Sequence, residues 1–437
     1  MSKLNVITAA IFLLLAFTFS IISMFALPNE YLLGSAIIVL GITISLMFVC
    51  NVVRITSTLF IPTVFIFIQF VAIILPLLFG ELPTYEYFPS QDVAIIYFKK
   101  YLFILLIGYS LLLFGYIFGR KYLIYDGPIV TSTIKDKFVY VPFFLSLVCF
   151  IVIFYRAGGV FNTLQGGLAR FEALEASNFF VAFTKFGYLT SVLLLIRNKN
   201  MFCIITFIFI TACMGLIGER GSVLFFGVIP LLVTLSMVGR SLSLKNIIIL
   251  LVAFCVYYGS IGALRNNVDE NEEFDLKTSS LSIIKHTAHH HIAASTIFMA
   301  DNDGFWYGKS LANIIFAPIP RSIWPTKPII AESGAVGAQL KGSDMLSGIG
   351  LPPGNFAYYY LQGGIVGLIV LSIVSGFFSG CIESFFLKTN NEFNILLYSQ
   401  TQTLFFFIFS TEVQMKLLTT FIPLLLIYLV FSKGKIK

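Results

Sequence analysis

Tyr101-Leu102-Phe103-Ile104-Leu105-Leu106-Ile107-Gly108-Tyr109-Ser110-Leu111-Leu112-Leu113-Phe114-Gly115-Tyr116-Ile117-Phe118-Gly119 runs without a charged side chain, closed by Lys99-Lys100 before it and Arg120-Lys121 after it. As a helix it measures about 28 Å at roughly 1.5 Å per residue, a match for a hydrocarbon core of about 30 Å. Lipid offers no hydrogen-bond partners, so a crossing backbone is helix or closed barrel. The run is continuously apolar rather than alternating, which selects helix.

The same pattern recurs along the chain. Spans are expected to begin near Val6, Leu32, Leu59, Tyr101, Phe138, Phe179, Phe202, Ser222, Asn246, Phe356, Asn394 and Leu417, about twelve in all. Ile283 to Ala300 reads as a re-entrant or interfacial helix, or as a further span. Charged residues make up 11% of the chain, against about 25% in soluble domains, so water cannot be its only solvent. The expected fold is all-α, a polytopic bundle over 1–437 without linker or clear internal repeat. Inverted repeats with interrupted helices would point to a secondary transporter. Val6 to Ala26 is too long for a signal-peptide core and lacks a clear cleavage site before Pro28, so it reads as a retained anchor. The cysteines Cys50, Cys149, Cys203, Cys213, Cys255 and Cys381 all lie in or at the ends of apolar spans and form no CxxC pair; they read as small buried residues.

Basic residues set the orientation. Lys3, Arg54, Arg120, Lys121, Lys135, Lys137, Arg197, Lys199, Arg240, Lys245, Lys388, Lys433, Lys435 and Lys437 fall on alternate connections, which places both termini in the cytoplasm. The outer connections are then 27–31, 80–100, 156–178, 218–221, 265–355 and 411–416. Lys99-Lys100 stands against this assignment as a basic pair on the outer side. The 265–355 connection, about 90 residues long, exceeds an ordinary loop. Its tryptophans, glycines and prolines predict an ordered segment.

Ionisable residues concentrate on that outer side. Gly218-Glu219-Arg220-Gly221 is a hairpin tight enough to hold Arg220 at membrane depth, where a charge is costly and points to function; a local Glu219–Arg220 pair is the plainer alternative. Arg265 ends the ninth span and is either functional or a snorkelling arginine. Pro318-Ile319-Pro320-Arg321-Ser322-Ile323-Trp324-Pro325-Thr326-Lys327-Pro328 holds Arg321 on a backbone stiffened by four prolines. A guanidinium there suits planar recognition of phosphate oxygens. Arg156 and Arg170 share the 156–178 connection with Glu172 and Glu175, and Ala169 to Ala176 can form an amphipathic turn.

All four histidines lie in Lys285-His286-Thr287-Ala288-His289-His290-His291. His286 and His290 have metal-ligand spacing on a helix, but no carboxylate lies at matching spacing. A base or phosphate contact is the alternative, and an ordinary polar face is the third. Asp301-Asn302-Asp303 has a D-x-D form, yet Asn302-Asp303-Gly304 is also a turn sequence, and a turn is expected. Asn355, after Gly350-Leu351-Pro352-Pro353-Gly354, can cap the tenth span. Several arginines with few acids on one side of a membrane suit an anionic headgroup or pyrophosphate, whose departure is catalysed mostly by charge stabilisation.

Trp306-Tyr307-Gly308-Lys309-Ser310, then Pro320-Arg321-Ser322-Ile323-Trp324-Pro325-Thr326-Lys327-Pro328, then Gly350 to Gly354 and Gly363-Gly364-Ile365-Val366-Gly367-Leu368, resemble the O-antigen polymerases, the Wzy-type oligosaccharide repeat-unit polymerases. The likeness is close over 305–368 and loose elsewhere, and the Pro–Arg–Trp segment is its specific motif. The histidine cluster maps onto no family motif. The resemblance implies a membrane-embedded glycosyltransferase of the C type in the bacterial inner membrane, with a periplasmic active site. A growing glycan on undecaprenyl pyrophosphate would be transferred to a lipid-linked repeat unit, without metal or other cofactor. Arg220, Arg265 and Arg321 would bind pyrophosphate, and Arg170 would guide the second lipid-linked substrate. His291, His290, Glu219 and Glu172 are all candidates for the base. Expected partners are lipid-linked oligosaccharides, the bilayer and a chain-length regulator, with no role for nucleic acid. An O-antigen ligase is the nearest rival. A lipid-linked oligosaccharide flippase is the rival from another class; it would need cations along the bundle, where Lys185 is the main mid-span charge.

Overall fold

The computed structural model describes residues 57–60, 62–63, 66, 69, 87–122, 131–164, 177–219, 222–239, 290–316, 324, 326, 328, 332–341, 351–388, 391–405, 409–410, 414 and 432–435. The spans expected from Val6, Leu32, Asn246 and Leu417 lie outside these. The described elements are helices, with one addition to the expected all-α class. Thr131–Ile134 (β1) pairs antiparallel with Ser432–Lys435 (β2). Thr131, Thr133 and Ile134 are β-branched and suit a strand. Two compact units form, each from interleaved pieces of chain: Met1–Tyr125 with Ile284–Phe385 and Thr403–Leu417, and Asp126–Ile283 with Phe386–Gln402 and Leu418–Lys437.

Gln91–Tyr122 and Asn355–Leu387 have the length and apolarity to cross a membrane. Both belong mainly to the first unit. The former begins ten residues before the expected Tyr101. Ser90 starts it, its Oγ accepting from the N–H of Val93, with Asp92 in the first turn; both favour a helix N-terminus. Its 32 residues make about 48 Å, longer than the hydrocarbon core, so Lys99 and Lys100 fall before the apolar run. The long helices turn large apolar residues outward, among them Phe114 at 63% and Val366 at 70% exposure. Apolar faces of this kind are what a lipid-facing helix presents.

The span expected from Phe356 is interrupted. Gly363 (φ −179°) and Gly364 (φ +63°) break the Asn355–Lys388 helix, leaving a short helix before the long one. Gly364 needs its glycine twice over: its φ is left-handed, and a Cβ would meet the ring of Phe305 at 3.1 Å. Trp306 N–H donates to Leu361 O at 2.9 Å, satisfying a carbonyl that the break would orphan. Gly308 N–H donates to Gln362 Oε1 at 3.1 Å, and Gln362 Nε2 donates to Ser310 Oγ at 2.9 Å.

Beyond the break, the long helix crosses Gln91–Tyr122 on glycines. A Cβ on Gly115 or Gly119 would run into the carbonyl of Ile373 or Phe377, and one on Gly376 or Gly380 into that of Leu112 or Tyr116. This reciprocal small-xxx-small crossing brings two backbones into contact. At its end Glu383, 2% exposed, accepts from Tyr116 OH (2.7 Å), Thr58 N–H (2.9 Å) and Ser57 Oγ (3.2 Å). Arg120 Nη1 lies 3.5 Å from its other oxygen.

The second unit packs Val141–Arg156, Asn178–Thr184, Gly187–Ile196, Asn200–Leu216 and Ile229–Met237 around Phe150, Ile153, Tyr188, Ile210 and Met214. Two of its spans are irregular. The one expected from Phe179 breaks at Lys185–Phe186, where Phe186 and Tyr188 make i→i−3 bonds. Ser146 Oγ donates to Thr184 O at 2.6 Å there, and Gly187 leaves room for Ser146 Oγ and Ile210. The one expected from Ser222 starts as a π-helix, Val223–Val228. Pro230 has no N–H to return to the carbonyl of Phe226; Gln400 Nε2 donates to that carbonyl at 3.4 Å.

Arg197 ties three connections of this unit together. Its Nε and Nη2 donate to the two oxygens of Glu392 at 2.6 and 3.2 Å, and its Nη1 pairs with Asp136. The Glu392 hydrogen bond pushes the guanidinium pKa further above its ordinary value, against desolvation. Arg197 is 16% exposed and Asp136 93%, so the Glu392 fork carries most of the interaction. Arg197→Lys keeps the charge without the fork. It is expected to cost about 1–2 kcal/mol, read as a lower Tm of the detergent-solubilised protein. An unchanged Tm would show that the fork contributes nothing.

Candidate functional site: a hairpin, a helix break and a π-helix

The Asn200–Leu216 helix stops at Gly218 (φ +74°). Glu219 N–H returns to Met214 O at 3.0 Å and Gly218 N–H to Gly215 O at 2.9 Å, the paired bonds of a Schellman stop. Only a glycine takes that φ without strain, which is why the expected hairpin forms here. The chain re-enters a helix at Ser222, whose N–H donates to Glu219 O at 3.1 Å. Thr163 Oγ1 donates to Leu216 O at 3.0 Å, so the connection after Arg156 is stitched to the base of the hairpin. Arg156 itself lies over the ring of Phe180 at 5.0 Å.

The carboxylate of Glu219 is held from two elements. Ser222 Oγ donates to Oε2 at 2.7 Å. Lys185 Nζ stands 3.6 Å from the same oxygen and 5.3 Å from the ring centroid of Phe226 in the π-helix. The Lys185 side chain is 19% exposed and that of Glu219 31%. The site therefore joins a helix break, a hairpin and a π-helix, all irregular backbone, and π-turns are frequent at functional sites. Of the expected pyrophosphate ligands and bases, Arg170, Glu172, Arg220, Arg265 and Arg321 lie outside the described residues. Glu219 is present, and the residue joined to it, Lys185, was legible only as a charge inside an apolar span.

In the first unit, His290 is the first described residue of the His290–Asp303 helix. Its ring is buried, 5.6 Å from that of Phe98 and 5.7 Å from that of the half-buried His291. His286 and His289 lie outside the described residues. Asp301, Asn302 and Asp303 form the last turn of that helix rather than the expected turn, which follows at Gly304 (φ +97°). Asp301 takes Lys100 Nζ at 2.5 Å and Tyr360 OH at 2.8 Å, and Asp303 takes Gln339 Nε2 at 3.3 Å. Lys100, one of the basic pair that stands against the expected orientation, is thus paired with Asp301. Trp324 Nε1 donates to Thr326 Oγ1 at 3.0 Å, and its ring meets Phe316 edge-on. Among the described residues no group of three or more His, Cys, Asp or Glu side chains can hold a metal. Comparison with protein-family models, with curated proteins and with solved structures finds no match to this chain.

Proposed function

We propose that the chain is a membrane-embedded glycosyltransferase that polymerises lipid-linked oligosaccharide repeat units. The observation that carries the reading is the hairpin: an acid fixed by Lys185 and Ser222 on the residue directly before Arg220. The transfer needs a base for the acceptor hydroxyl and cations for the leaving pyrophosphate, and the hairpin sequence offers a candidate for each. A hydroxyl of the acceptor sugar attacks the anomeric carbon of the lipid-linked glycan. The new glycosidic C–O bond forms, the bond to pyrophosphate breaks, and undecaprenyl pyrophosphate leaves with the electron pair. The hydroxyl proton passes to a base, for which Glu219 is a candidate alongside His290, His291 and Glu172. Arg220, Arg265 and Arg321 each serve the pyrophosphate charge, a fixed-cation role that stabilises departure, and Arg170 guides the second lipid-linked substrate.

Two groups of contacts support the orientation that this reading needs. Arg197 joins the connections of Asp136 and Glu392, and β1 joins the C-terminal segment; all belong to the basic set assigned to the cytoplasm. Thr163 joins the 156–178 connection to the end of the helix before Gly218, both on the assigned outer side.

The test is deletion of the gene in its host, with surface glycan resolved on a gel. The expected result is glycan of a single repeat unit, with the ladder lost and restored by the gene. Complete loss of surface glycan with lipid-linked polymer accumulating would make the protein a ligase. Unpolymerised units retained at the cytoplasmic face would make it a flippase.

A further inference from the structure

Lys185 has no part in the transfer as written, yet its position is specific. It sits where a helix breaks, inside a segment that is otherwise apolar, and it reaches a carboxylate on a different element. A lysine within a membrane span is costly and rarely retained without a task. The hairpin sets that task. Glu219 and Arg220 are adjacent in the chain and together carry no net charge, whereas a pyrophosphate site must be positive. Counting Lys185 with them leaves one positive charge.

We infer that Lys185 is a positioning residue of the hairpin, acting through Glu219: it offsets that carboxylate and fixes it, so that Arg220 serves a lipid pyrophosphate. The inference rests on the proposed polymerase reading. Three features of the geometry carry it. The Lys185 ammonium and the Ser222 hydroxyl address the same oxygen, Oε2, of Glu219, which holds the carboxylate from two elements. The ring of Phe226 lies 5.3 Å from the ammonium, and its π-face favours a cation. Gly227, the next residue, approaches Tyr188 so closely that a Cβ would stand 2.8 Å from its ring, which holds the π-helix against the segment after the break.

The experiment measures binding of undecaprenyl pyrophosphate to the purified full-length protein in detergent by native mass spectrometry, with Tm recorded for each variant. The wild type is expected to bind. Lys185→Met is expected to weaken binding about tenfold or more, because it leaves the Glu219 carboxylate without its offsetting charge in a partly buried site, and Lys185→Arg to stay within about threefold of wild type. Glu219→Gln removes the charge that needs offsetting. It is expected to bind at least as tightly as wild type, and the Lys185→Met, Glu219→Gln double variant is expected to regain most of the lost affinity. A double variant as weak as Lys185→Met would overturn the inference, since Lys185 would then act on the anion directly or only on the fold. If Lys185→Met does not fold, Glu219→Gln decides: weaker binding than wild type overturns the inference. Wild-type protein that does not bind at all overturns the polymerase reading along with it, whereas binding by wild type with an unaffected Lys185→Met overturns the inference alone.

Discussion

Gly376→Leu in the full-length protein is expected to abolish recovery of a monodisperse folded species from detergent, and Gly376→Ala to lower stability by about 2–3 kcal/mol. The cause is backbone against backbone. A Cβ at Gly376 meets the carbonyl oxygen of Leu112, and Gly115 meets that of Ile373 in return. A carbonyl cannot rotate away as a side chain can, so the two long helices must move apart. In lipid, where apolar burial gives no drive to association, close packing of this kind is a main source of helix–helix stability. Gly363→Ala on the same chain segment is the control. Its surroundings are open and its φ of −179° suits any residue, so its effect should stay within about 0.5 kcal/mol. Thermal melts followed by size-exclusion chromatography make the comparison. Equal stability of Gly376→Ala and Gly363→Ala would refute the crossing.

Glu383→Ala is expected to cost about 3 kcal/mol or more. Its carboxylate collects Tyr116 OH, Ser57 Oγ and the Thr58 N–H, with Arg120 beside it. Alanine leaves the Thr58 N–H without its acceptor and Tyr116 OH and Ser57 Oγ, 2.9 Å apart, to pair with each other, and removing one partner from a buried network is far more damaging than replacing the whole. Arg120 is about a third exposed and can turn toward solvent, so its share is discounted. Glu383→Gln keeps an acceptor oxygen for Tyr116 and Thr58 and should retain roughly half of the loss. The melts that score Gly376→Ala apply here too; Glu383→Ala melting with the wild type would mean that the donors find other acceptors.

These predictions mark how the molecule divides between what is local and what is not. The apolar run 101–119, the stop at Gly218 and the burial of Cys149, Cys203 and Cys381 were legible in the sequence because hydropathy, glycine φ and span length act over a few neighbouring residues. The helix start at Ser90 was not read, because the polar residues before Tyr101 lie outside the apolar run. The breaks were harder. Gly363-Gly364 shows in the sequence as a glycine pair, but glycines also occur inside helices, and only the Phe305 ring and the Trp306 N–H against Leu361 O make this pair a break. Lys185 shows as an anomaly, yet nothing near it in the chain names its partner.

By itself, then, the sequence determined the apolar helices and the place of the hairpin, since hydropathy and glycine φ act on each segment separately. The tertiary structure alone decided that Gly115 and Gly119 meet Gly376 and Gly380, that Glu383 gathers Ser57, Thr58 and Tyr116, that Arg197 holds Glu392, and that Lys185 reaches Glu219. Each joins residues from different elements, most of them far apart in the chain. Such pairings follow from which helices pack together, and a charge, a hydroxyl or a glycine carries no signal of its partner until the packing brings the two together.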